Sequence, residues 1–105
     1  MEEKQIIFDC ETAGMRHGAL MRAVYDLVDK AVTASPEAPA FRLYVEKGGT
    51  GRRVTIAPHD VAIMPHATDC KQLQILSVTP DQVRSDLGFF LRYLCRKIRR
   101  PALPW

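Results

Sequence analysis

Hydrophobic residues recur along this chain with two periods, one helical and one strand-like. Apolar residues spaced three or four apart predict an amphipathic helix from about Met15 to Thr33. The apolar stripe of this helix consists of Leu20, Val24, Leu27, Val28 and Ala31. The same spacing predicts a second helix from about Pro80 to Arg100. Its apolar stripe consists of Val83, Leu87, Phe90, Leu91, Leu94 and Ile98.

The clearest strand pattern is a hairpin around a glycine-rich turn. Apolar and polar residues alternate on both sides of residues 47–53, which predicts two strands with one buried side. The residues predicted to point inward are Phe41, Leu43, Val45, Val54 and Ile56. A first strand is predicted over residues 5–10 and a last one over residues 73–78, with Leu73 and Ile75 on one side. The stretch 58–71 fits a short strand, a helical turn or an ordered loop.

These elements predict a single α+β domain over residues 1–100, followed by a short extended tail over residues 101–105. The predicted order is β-α-β-β-(short element)-β-α, with about four strands in a small antiparallel or mixed sheet and two helices packed on one face. A length of 105 residues with 47% hydrophobic content suits one such domain. The last helix has a complete start signal, with Thr79 as N-cap, Pro80 at the first helical position and Gln82 closing a capping box.

The last helix carries a second stripe opposite its apolar one, formed by Phe89, Tyr93, Arg96 and Arg100. The charge of the chain is concentrated there. Residues 92–105 contain five basic and no acidic residues, whereas residues 1–91 contain ten basic and twelve acidic residues. Aromatic rings in line with guanidinium groups indicate an anionic or flat partner.

We therefore expect a non-enzymatic module that binds nucleic acid or an acidic protein surface through this helix, assisted by the basic hairpin tip. The candidate contact residues are Phe89, Tyr93, Arg92, Arg96, Lys97, Arg100, Lys47, Arg52 and Arg53. A hypothesis of another class is a homodimer or assembly subunit in which a partner covers Phe89 and Tyr93. No complete catalytic constellation, cofactor motif or small-molecule substrate is identified.

A third hypothesis concerns the segment from Ile7 to Gly14, which resembles the first motif of the DEDD-type 3′-to-5′ exonucleases. In that family a strand ends in Asp-x-Glu and both carboxylates hold metal ions. The resemblance implies a metal-dependent hydrolase with Asp9 and Glu11 as ligands, but it covers only eight residues, and Arg22 stands where a later motif needs an aspartate. A further group of metal-ligating residue types, at spacings typical of no compact zinc site, is His59, Asp60, His66, Asp69 and Cys70.

The cysteines and the apolar runs bear on location. Cys10, Cys70 and Cys95 are odd in number and form no CxxC pair, which is typical of reduced thiols. The apolar run at the start stops at Phe8, which is short for a secretion signal. No stretch approaches the roughly 20 apolar residues that span a bilayer. We expect a cytoplasmic protein without a membrane span.

Overall fold

The computed structural model describes residues 5–48, 51–63 and 72–99, which form one four-stranded antiparallel sheet and three helices. The elements in chain order are β1 (Phe8–Glu11), α1 (His17–Ala34), β2 (Phe41–Gly48), β3 (Gly51–Pro58), β4 (Gln72–Val78), α2 (Pro80–Ser85) and α3 (Leu87–Arg99). The spatial order of the strands is β1-β3-β2-β4. The predicted α+β class is confirmed.

The hairpin of β2 and β3 forms the centre of the sheet, and β1 and β4 form its two edges. Leu43 lies opposite Ile56 and Val45 lies opposite Val54, and all four side chains are fully buried. The alternation along the two strands therefore predicted correctly which residues point inward. The prediction of a single buried side was wrong, because the opposite side of the same strands is also buried, at Tyr44, Glu46, Thr55 and Ala57. The register of these strands is strongly specified, because a shift of one residue would turn every apolar side chain of a strand to the other face.

The helices α1 and α3 pack side by side against one face of the sheet. The buried residues of α1 are the predicted ones, Leu20, Val24, Leu27, Val28 and Ala31. Those of α3 are Phe90, Leu91, Leu94, Cys95 and Ile98. Both sets join the inward residues of the sheet in one hydrophobic core. Because each helix buries only one side, the other side of α3 remains exposed.

The predicted helix from Pro80 to Arg100 is divided in the structure. The chain leaves helical geometry at Asp86, where φ is −154° and ψ is 82°, and a new helix begins at Leu87. The Asp86 carboxylate accepts a hydrogen bond from the backbone N–H of Phe89 at 3.0 Å, as an N-cap does. The predicted capping box between Thr79 and Gln82 is present at the start of α2.

Other predicted boundaries differ by a few residues or lie outside the described chain. β1 begins at Phe8, three residues later than predicted, and Gly14 follows it with φ of +77°, a left-handed conformation that suits glycine. Residues 59–63 contain neither helix nor strand, while residues 64–71, Arg100 and the tail 101–105 are not among the described residues. Within the described chain no helix combines the length and apolarity needed to cross a bilayer.

Candidate anion-binding surface on the last helix

The exposed side of α3 carries aromatic and basic residues next to one another. Phe89 is 64% exposed and Tyr93 is 42% exposed. Arg92, Arg96 and Arg99 are also exposed. Phe89, Tyr93 and Arg96 thus share the outer side of the helix, while Arg100 of the same predicted stripe lies outside the described residues. We call the five exposed residues from Phe89 to Arg99 the α3 surface.

The two aromatic side chains of the α3 surface differ in their surroundings. The ring of Tyr93 is stacked near that of Phe90, with centroids 6.5 Å apart and planes inclined by 16°. The ammonium group of Lys97 lies over the Tyr93 ring, 5.6 Å from its centroid, which is a cation–π arrangement. Tyr93 is therefore engaged within the helix itself. Phe89 offers the more accessible ring for contact with a partner.

The arginines of the α3 surface border a groove that reaches another helix. An open groove is lined by Arg92, Arg96 and Arg99 of α3 and by His17, the first residue of α1. We call it the basic groove. His17 was not predicted as a site residue, because nothing in its local sequence connects it with residues more than seventy positions later. Only the packing of α1 beside α3 brings it there.

Lys47 occupies a different place from the one expected at a hairpin tip. Its side chain is only 3% exposed. Its Nζ donates hydrogen bonds to the backbone carbonyl of Lys97 at 3.1 Å and to Oε1 of Gln74 at 3.2 Å. Lys47 thus lies inside the molecule, beneath the C-terminal turn of α3, and not on a surface open to a partner. A cation at this place is stabilised by the negative end of the helix dipole.

The other two hairpin cations lie near acidic side chains of β1. Arg53 forms an ion pair with Asp9, with Nη1 and Oδ2 2.9 Å apart. The backbone N–H of Arg52 donates to Oε1 of Glu11 at 2.8 Å, and both the N–H and the hydroxyl of Thr12 donate to the carbonyl of Arg52. These contacts join the hairpin to the edge strand. The charge of Arg53 is consequently offset locally, unlike the charges of the α3 surface.

Asp9 and Glu11 lie on the same side of β1, as their spacing requires, and both carboxylates already have partners. Burial raises the pKa of Glu11, but hydrogen bonds from the backbone N–H groups of Arg52 and Ala13 and the charge of Arg53 outweigh it, so the pKa lies below its ordinary value. In the described part of the chain no three metal-ligating side chains gather at one place. His59 and Asp60 are exposed there, whereas His66, Asp69 and Cys70 fall outside it.

Two of the three cysteines can be described, and both are free thiols. Cys95 is buried in the core on the inner side of α3. Burial raises the pKa of the Cys95 thiol, with the nearby Arg99 acting in the opposite direction. A protonated, enclosed thiol has the properties of a core residue and not of a nucleophile.

No protein-family model matches the chain, and no curated protein or solved structure matches it significantly. Of the described helices, α3 stands out because it contains four basic residues and no acidic one. By contrast, the two basic residues of α1 are balanced by two acidic ones.

Proposed function

We propose that this chain is a non-enzymatic module that binds single-stranded nucleic acid through the α3 surface. The observation that carries the proposal is the exposed ring of Phe89 on the same helix as three arginines for which no described carboxylate is a partner. Single strands present both groups that such a surface recognises. Their bases stack on aromatic rings and their phosphates pair with guanidinium groups.

The expected energetics separate the two kinds of contact. Stacking of one base on an aromatic side chain contributes about 1–3 kcal/mol, independently of salt. Each phosphate contact releases bound counterions, so that the logarithm of the affinity falls with the logarithm of the salt concentration by roughly 0.7 per contact on a single strand. In this proposal Phe89 provides the stacking contribution, and Arg92 and Arg96 provide the phosphate contacts.

The test is the binding of a labelled single-stranded oligonucleotide, measured by fluorescence anisotropy over a series of salt concentrations. We expect the double variant Arg92→Glu with Arg96→Glu to weaken binding. We also expect the salt slope, the change in the logarithm of the affinity with the logarithm of the salt concentration, to become less steep by roughly 1.4, the value for two phosphate contacts. We expect Phe89→Ser to weaken binding while the salt slope stays unchanged. Phe89 and both arginines are exposed, so these variants should fold normally.

Two matched controls lie away from the α3 surface. Arg42→Glu with Arg84→Glu reverses two exposed arginines on β2 and α2, and Tyr25→Ser removes an exposed aromatic side chain from α1. Neither should change the affinity more than slightly. The proposal is wrong if the oligonucleotide does not bind at low salt, or if the control variants weaken binding as much as the α3 variants. Salt-dependent binding of an acidic polypeptide in place of the oligonucleotide would also overturn it.

A second candidate function is self-association or assembly through the same helix. The exposure of Phe89 favours it, because a large exposed apolar side chain is typical of protein interfaces. In that case the chain would be dimeric in sedimentation, with Phe89 and Tyr93 at the contact. A cytoplasmic location suits either function and is supported by the free thiols of Cys10 and Cys95.

A further inference from the structure

The basic groove draws its lining from two separate helices. Arg92, Arg96 and Arg99 follow one another at helical spacing along α3, and His17 approaches from the first position of α1. All four side chains are exposed, so their donor groups are available to a ligand. The groove is thus an open surface site where side chains from two elements meet, and not merely a charged stripe on one helix.

The positive charge in the basic groove is not balanced by described residues. Within residues 5–48, 51–63 and 72–99, no acidic side chain forms an ion pair with any of the three arginines. The first turn of α1 also contains no acidic residue, and the N-cap residue Arg16 makes no side-chain capping bond. Like charges held near one another raise the free energy of the unliganded molecule, and a bound anion lowers it.

The chemistry of the lining selects among anions. A guanidinium group is planar and pairs with two oxygens at once, and three such groups in succession along α3, with a further donor from α1, suit an anion with several oxygens. The imidazole of His17 adds an N–H donor from the start of α1. A carboxylate offers two oxygens in one plane and would leave part of this lining without a partner.

We infer that the basic groove binds a phosphate group. This inference rests on the proposed function, in which the phosphate belongs to the nucleic-acid strand whose base contacts Phe89, and it adds His17 to the contact residues. Free inorganic phosphate shares the same chemistry and serves as the minimal ligand.

The first arm of the test uses inorganic phosphate alone. We expect a titration followed by NMR to give saturable shifts at His17, Arg92, Arg96 and Arg99, with a Kd in about the millimolar range. Chloride at equal ionic strength should not produce them. Arg96→Gln with Arg99→Gln should weaken phosphate binding roughly ten-fold or more, and His17→Ala should weaken it to a smaller extent. The matched control, Arg42→Gln with Arg84→Gln, should leave it unchanged.

The second arm uses the single-stranded oligonucleotide and separates the two proposals. Saturable phosphate binding without oligonucleotide binding would support the phosphate site in the basic groove and refute the nucleic-acid function. Oligonucleotide binding that is insensitive to Arg99→Gln and His17→Ala, together with shifts that phosphate and chloride produce equally, would refute the groove and leave the α3 surface in place. An effect of the arginine variants without any effect of His17→Ala would overturn the assignment of His17.

Discussion

Glu11 connects three parts of the chain through a single carboxylate oxygen. Its Oε1 accepts hydrogen bonds from the backbone N–H of Arg52 at 2.8 Å and from that of Ala13 at 3.2 Å. It thereby fixes the end of β1 both to the central hairpin and to the turn that leads into α1. The ionised form is the better acceptor, which accounts for the lowered pKa of this group.

The pH dependence of stability follows from the direction of that shift. Because the pKa of Glu11 is lower in the folded than in the unfolded chain, its contribution is complete above the unfolded value of about 4.5 and is lost as pH falls through the folded value. We expect Glu11→Gln to lower the free energy of unfolding by about 1 kcal/mol at neutral pH, since the group is exposed. In urea unfolding the difference from the wild type should shrink below pH 4.5.

The control for this experiment is Glu37→Gln, which neutralises an exposed glutamate in the loop before β2. It should keep a constant, small difference from the wild type across the same pH range. A Glu11→Gln difference that persists undiminished at low pH would contradict the role given to the ionised carboxylate.

The alternation along β2 predicts which side of the sheet Lys47 faces, but not the partners of its side chain. Lys47 continues the inward row of Phe41, Leu43 and Val45 at a spacing of two, so the period itself placed it on the side of the core. Its positive charge suggested the surface instead. Two partners that help to make its burial tolerable, the carbonyl of Lys97 and the side chain of Gln74, are distant in sequence and could not be predicted.

At the scale of elements, α3 depends on a cap of its own. The apolar stripe runs without interruption from Val83 through Leu87 to Phe90 and Leu91, so periodicity alone predicts one continuous helix. The break at Asp86 is caused by a competing preference, since aspartate is among the best N-cap residues. An aspartate immediately before an apolar helical run was the signal that could have revealed the second helix.

The substitution Asp86→Ala tests this cap. It removes the oxygen that accepts from the N–H of Phe89 and the negative charge at the start of α3. We expect the free energy of unfolding to fall by about 1 kcal/mol, measured by urea denaturation. Asp86→Ser should retain most of the stability, because serine can accept the same hydrogen bond. Equal losses in the two variants would show that the side chain acts in some way other than capping.

At the scale of the whole molecule, several basic groups gather at one end of the sheet. The hydrogen bond from Lys47 to Lys97 brings the end of α3 near the hairpin, and Glu11 holds the hairpin near the start of α1. The packing of α1 beside α3 places His17 and Arg99 at the border of the same groove. The sequence predicted the aromatic and basic side of α3. It did not predict His17 as a neighbour of these residues, because periodicity does not specify how α1 packs beside α3.

This distribution of charge also bears on the oligomeric state. A two-fold contact through α3 would bring the four basic residues of one copy against the same four of the other, which disfavours association. The exposed rings of Phe89 and Tyr93 are small beside the roughly 800 Å² that each partner of a stable interface buries. We expect sedimentation velocity to show a monomer from micromolar to millimolar concentrations at low salt. A dimer that Phe89→Ser dissociates and Tyr25→Ser does not would instead establish self-association through α3.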